Sequence, residues 1–151
     1  MKIISPLYID LPRVRTKPKR VYLNMNAYGN TNTFTNDEVK KAYLEMIREQ
    51  VEGKVIVTPV EITYRVLKGS KRRLDKMNVI AVTSKYLLDA LTNLGCWEDD
   101  NDDHVKTETI LPTELDRDNP RVEIIITSIQ RIVYDLLRNE IKYIRCYKPL
   151  N

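Results

Sequence analysis

The sequence predicts an α+β domain, with a mixed, mostly antiparallel sheet packed against about three helices. Three observations lead there. Short runs rich in β-branched residues alternate apolar and polar positions, as half-buried strands do. Two longer stretches carry apolar residues at helical spacing and stop at a glycine, Gly53 and Gly95. Strands and helices do not follow one another in strict βαβ order, which argues against a doubly wound sheet. At 151 residues the chain fits one domain with one core, and residues 1–151 are read as a single unit.

The elements follow in order. Residues 2–9 and 20–25 read as short strands, the second from the alternation in Val21-Tyr22-Leu23-Asn24-Met25. A polar loop rich in Asn, Gly and Thr runs on to Thr35. Thr35 or Asn36 can cap a helix that reaches Val51, with Asp37 and Glu38 in the first turn, where the dipole favours anions. Val39, Tyr43, Met46, Ile47 and Gln50 share one side of it. Residues 54–67 read as two strands parted near Pro59. A basic loop leads into a long helix from Asp75 to Leu94. Strands at 104–111 and 121–128 follow, and the Asp-Arg-Asp-Asn-Pro turn between them predicts a hairpin. A last amphipathic helix is expected from Ser128 to Arg138.

Composition excludes several classes. Apolar residues make up 42% and charged residues 30%, the balance of a soluble globular protein and not of a disordered one. The longest apolar run, such as Ile124-Ile125-Ile126, falls far short of the roughly 20 residues that span a bilayer. The start, Met1-Lys2-Ile3-Ile4-Ser5-Pro6, has no apolar core of a signal peptide. Cys96 and Cys146 lack metal-site or redox spacing and read as free thiols in a reducing cytoplasm. His104 is the only histidine, which removes multi-histidine zinc sites and argues for a structural or surface role. A calcium loop starting at Asp99 would need Gly and Glu where His104 and Ile110 stand. No Walker or dinucleotide-binding motif is present.

The charge is mildly basic, +4 with a pI near 9.0, and its distribution is informative. One basic cluster covers 13–20 (Arg13, Arg15, Lys17, Lys19, Arg20) and another 68–76 (Lys68, Lys71, Arg72, Arg73, Lys76), while 98–103 concentrates five carboxylates. Cations hold a phosphate backbone and clustered carboxylates hold a hard cation, so the pattern fits a metal-dependent nuclease. Solubilising surface charge is the plain alternative. On the long helix, Asp75, Asn78, Lys85 and Asp89 fall within an arc of roughly 80° at about 100° per residue. Lys85 and Asp89 are the only formal charges between Met77 and Leu94. The loop after Gly95 can fold Asp99 and Asp100 back beside the helix. Two or three such carboxylates suit Mg²⁺, and a nearby Lys can stabilise a charged phosphate transition state.

The segment from Lys85 through Asp89-Ala90-Leu91 and the Gly95 turn to Asp99-Asp100 resembles the RusA family of Holliday junction resolvases, in its phage and prophage branch. Arg72-Arg73-Leu74-Asp75-Lys76-Met77-Asn78 is similar to that family's basic lead-in, Leu23-Asn24-Met25-Asn26-Ala27-Tyr28 to its N-terminal segment, and Asn119-Pro120-Arg121-Val122-Glu123-Ile124 to its late strand. The likeness runs discontinuously over residues 10–128. It implies a RusA-like α+β homodimer in a bacterial cytoplasm that binds four-way DNA junctions and nicks two opposed strands with Mg²⁺ or Mn²⁺. Asp75, Asp89 and Asp100 would be its catalytic carboxylates and Lys85 its catalytic cation. The metal set would comprise Asp75, Asn78, Asp89, Asp99 and Asp100. Arg13, Arg15, Lys17, Lys19, Arg72 and Arg73 would grip phosphates. The chain departs from the family pattern at the helix start, where one acidic residue stands for two and extra residues precede Lys85. Two other expectations are a catalytically silent branched-DNA-binding or replication-accessory protein, and a protein-interaction module docking through the acidic loop.

Overall fold

The computed structural model describes residues 1–130. The chain runs β1 (Lys2–Pro6), β2 (Tyr8–Leu11), β3 (Lys19–Tyr22), α1 (Met25–Asn30), α2 (Thr33–Val51), β4 (Val60–Lys68), α3 (Lys76–Asn93), β5 (Val105–Ile110), β6 (Glu114–Leu115) and β7 (Arg121–Ser128). Cys146 and nearly all of the helix expected from Ser128 to Arg138 lie outside the described residues. The class is α+β, as the sequence predicts.

β4 is the centre of the main sheet, whose order is β1-β7-β4-β5, with β6 also beside β4. β7 runs antiparallel to β4, pairing Ile62 with Ile126, Tyr64 with Ile124 and Val66 with Val122. These positions are all buried, so one face of the sheet is the core face. β5 and β6 run parallel to β4. The hairpin expected between 104–111 and 121–128 is therefore absent: β4 lies between the two strands. The intervening chain follows the β4 edge through β6. It then turns where Asp116 Oδ1 accepts from the backbone N–H of Asp118 and Asn119, at 3.2 and 3.0 Å. Parallel neighbours need a long crossover, and α3 supplies it, so β4-α3-β5 is one βαβ unit in a mixed sheet whose β1-β7 and β7-β4 pairs are antiparallel.

Other boundaries differ for local reasons. The strand expected over 2–9 breaks at Leu7, and its halves join different sheets: β1 pairs β7, while β2 pairs β3 in a separate ribbon. The Asn-rich loop contains α1, because the Asn24 side chain caps it by accepting from the Ala27 N–H at 2.9 Å. Asn32, and not Thr35 or Asn36, caps α2, accepting from the Thr35 N–H at 2.8 Å. Residues 54–59 form no strand, and Val55 and Val57 are exposed there; β-branched residues without a neighbouring strand to pair with gain nothing from extension.

α2 buries Thr35, Val39, Tyr43, Ile47 and Val51, one residue per turn. α3 buries Val79, Ile80, Val82, Thr83, Ser84, Tyr86, Leu87, Ala90 and Leu91, which occupy about half its circumference. Met77 and Ala81 are exposed although apolar. Tyr86 is the hinge of an aromatic cluster, edge-on to Tyr43 at 5.8 Å and to Tyr28 at 6.1 Å. Tyr43 then donates to Ser5 Oγ at 3.1 Å, tying α2 to β1 inside the core. Burial pushes the Tyr43 phenol well above its usual range.

The edge strand β1 is also held from α2 by the Gln50 amide. Gln50 Oε1 accepts from the Ile4 N–H and its Nε2 donates to the Ile4 carbonyl, both at 2.8 Å, as a strand would. Gln50→Ala removes the partners of both Ile4 backbone groups and should lower stability by about 1–3 kcal/mol, read as an earlier urea midpoint. On the opposite face of the sheet, Arg121 and Lys2 beside Glu123 hold its carboxyl below the ordinary glutamate range. A depressed carboxylate stabilises above its unfolded pKa and loses that contribution as pH falls. Acid unfolding of Glu123→Gln should therefore be less steep below about pH 4.3.

Candidate functional site

The basic loop after β4 faces the root of the β2–β3 ribbon, and the other basic cluster lies toward the ribbon's far end. The β2–β3 ribbon turns Ile9, Leu11 and Val21 into the core and leaves Tyr8, Asp10, Arg20 and Tyr22 on its outer face. At the ribbon's root Tyr8 pairs with Tyr22, and a groove of about 300 Å³ opens there, walled on its other side by Lys68, Arg72 and Arg73. The loop carrying those cations is held by Lys68 Nζ, which donates to the Arg72 carbonyl at 3.1 Å. Gly69 packs so closely on Pro120 that a Cβ would stand 3.2 Å from its ring. The loop is thereby fixed against the turn before β7.

Of the predicted phosphate-gripping residues, Arg72 and Arg73 line this groove and are exposed. Lys19 ends the ribbon opposite Leu11, roughly 10 Å along it from the Tyr8–Tyr22 pair at about 3.4 Å per residue and in phase with Val21 rather than with the two rings, and Arg15 and Lys17 are exposed in the loop beyond it. Arg13 is differently used. It makes a two-pronged pair with Glu38 of α2, both contacts at 3.2 Å, and anchors the tip to that helix. Arg20 is spent on Asp10, at 2.9 and 2.8 Å, and lies over the Tyr8 ring at 3.8 Å. That hydrogen-bonded pairing lowers the Asp10 pKa and raises that of Arg20.

The acidic residues are distributed differently. Asp75 is the N-cap of α3: its Oδ1 accepts from the N–H of Met77 and Asn78, and its Oδ2 accepts from Asn78 Nδ2 at 2.9 Å. Both Asp75 and Asn78 are thus engaged in starting the helix. Asp89 lies near the other end of α3, some 21 Å away at about 1.5 Å per residue. Lys40 of α2 reaches Asp89 Oδ2 at 3.3 Å, closer than Lys85 at 3.8 Å. Lys40 and Asp89 border a cleft of about 290 Å³ shared with Asp37, Tyr86 and Asn93. Tyr86 is raised to about 12, first by burial and then by Tyr28, Asp37 and Asp89, so its phenol keeps its proton at neutral pH.

Asp99 and Asp100 sit in a self-bonded loop beyond Gly95, which takes φ +66 to end α3. Asp99 accepts from the Asp100 N–H at 2.8 Å and from Asn101 Nδ2 at 2.7 Å. Asn101 Oδ1 in turn accepts from the Asp103 N–H and stands 3.0 Å from His104 Nδ1. His104 therefore has the structural role expected of it. The loop passes the start of β4, where the Val60 N–H donates to the His104 carbonyl at 2.8 Å.

A single ion cannot be shared by Asp75 and Asp89 of one chain, because α3 holds them at opposite ends. Among the described residues no three histidine, cysteine, aspartate or glutamate side chains stand together as a metal-holding group. The five expected ligands thus do not fit one Mg²⁺ centre within a chain. Cys96 is a buried free thiol, raised in pKa by that burial.

Sequence reasoning missed Tyr8, Tyr22 and Lys40. The outward alternation of Tyr8 with Ile9, and of Tyr22 with Val21, is visible in the sequence; the register that pairs the two rings is not. No protein-family model matches the chain, and no curated protein matches it. Among the described residues no helix is long and apolar enough to cross a membrane.

Asp75→Ala should cost about 1 kcal/mol of stability, with Asp75→Ser close to wild type, because the side chain caps α3. Thermal unfolding of the two variants measures this.

Proposed function

We propose that the protein binds branched DNA, four-way junctions in particular. The observation that carries this reading is an aromatic groove at the ribbon's root walled by Lys68, Arg72 and Arg73, with the cations Lys19, Lys17 and Arg15 farther out along the ribbon. Such an array grips phosphates without reading bases. Its affinity is electrostatic and should fall with salt.

The resemblance to RusA resolvases extends the reading to a homodimer that cuts opposed strands with Mg²⁺ or Mn²⁺, acting in the bacterial cytoplasm and encoded by a phage or prophage. A two-fold dimer matches a junction with two equivalent strands. What supports cleavage is the order and spacing of Lys85, Asp89, Asp99 and Asp100. A specific observation favours the second reading, branched-DNA binding without cleavage: Asp75 and Asn78 are committed to the α3 cap, far from Asp89.

One experiment separates the two. Purified protein is mixed with labelled four-way junctions, in chelator for binding and in Mg²⁺ or Mn²⁺ for cleavage. Paired nicks that vanish in Asp89→Asn establish the resolvase; retarded, uncut junctions in both conditions establish the binding protein. Failure to bind junctions at low salt overturns both. Arg72→Ala with Arg73→Ala should flatten the slope of log K against log salt by roughly 0.9 for each phosphate that the variant no longer neutralises.

A further inference from the structure

We propose that the groove at the root of the β2–β3 ribbon holds an unpaired nucleobase, stacked on Tyr22, so that the protein prefers DNA with unpaired nucleotides over intact duplex. This rests on the DNA-binding reading and names the substrate feature it recognises. Three observations carry it. Tyr22 is 53% exposed although its strand neighbours Val21 and Leu23 are in the core, so a large ring is displayed where the fold does not need it. The Tyr8 ring meets Tyr22 edge-on, 5.8 Å between centroids at 68°. Arg20, fixed by Asp10, lies over Tyr8, so the ribbon itself covers Tyr8 and supports Tyr22 from the side.

The rest of the groove suits a base and its phosphate. Leu7, Leu74, Val79 and Pro120 supply an apolar lining, and about 300 Å³ is ample for one base. Asn24 also lines it; its side-chain oxygen caps α1, which turns its amide nitrogen into the remaining polar group, a donor for a base edge. Arg72 and Arg73 on the rim complement the flanking phosphates. Stacking on an aromatic ring tolerates any base, because every base has a π-face, whereas paired bases inside a duplex cannot offer theirs. Forks, flaps and single strands present such bases, whereas a fully paired four-way junction presents one only where a pair at its branch point opens.

The test measures binding of wild type, Tyr22→Ala and Tyr22→Phe to an oligothymidylate, a fork and a blunt duplex of matched length, by fluorescence anisotropy at fixed low salt. Tyr22→Ala is expected to lose at least about fivefold on the oligothymidylate and fork, to stay within about twofold on the duplex, and to be rescued by Tyr22→Phe, which keeps the ring. Circular dichroism of each variant controls for folding. Equal losses on single strand and duplex, or no loss on either, overturn the proposal. Wild type that binds duplex but not single strands leaves DNA binding standing and removes this inference alone. Wild type that binds none of the three removes the DNA-binding reading itself.

Discussion

α3 has to connect two parallel neighbours, β4 and β5, and most other features follow from that crossover. A parallel pair cannot be closed by a tight turn, so α3 lies across the sheet and buries Val79, Ile80, Thr83, Leu87 and Leu91. α2 packs beside it through Tyr43, and α1 through Tyr28, both on Tyr86. The remaining half of α3 reaches solvent, and Lys85 and Asp89, the only charges between Met77 and Leu94, lie on that side.

The same geometry governs the chemistry available to the acidic residues. A helix is a rigid spacer, and α3 keeps the Asp75 cap and the Asp89 cleft at its two ends. Asp89 is instead served by ammonium groups from two helices, Lys40 and Lys85. In the acidic loop after Gly95, Asp99 and Asn101 bond the loop's own backbone and side chains, with Asn101 as its organiser. Among the described residues a mixed-charge cleft lies between α2 and α3, and Lys68, Arg72 and Arg73 face the root of the ribbon.

That loop shows how position is enforced without secondary structure. Lys68 closes it onto the Arg72 carbonyl, and Gly69 lets it lie against Pro120. Two arginines on an exposed loop would otherwise lose much side-chain and backbone entropy on binding a phosphate; here part of that ordering is already in place.

Local signals are legible wherever a residue type acts on its own neighbours. Asp75 and Gly95 bracket α3 because a short acceptor completes a helix start and a left-handed residue completes its end. Alternation places β5 and β7 nearly to the residue, and the helical repeat places the α2 core face. Pairing is not legible. The turn after Leu115 suggests a hairpin, yet β4 intervenes, since turn chemistry fixes a change of direction and not which strand waits beyond it. α1 is hidden in Asn- and Gly-rich sequence because its stability comes from Tyr28 packing on Tyr86. For the site, the sequence alone determined which residues carry charge and that the polar members of α3 share one flank. Only the tertiary structure decided which of them meet. It set Lys40 against Asp89 and the two tyrosines against Arg72 and Arg73, and it held Asp75 apart from Asp89. Helical phase constrains the direction of a side chain, whereas distance between elements is set by packing and strand order.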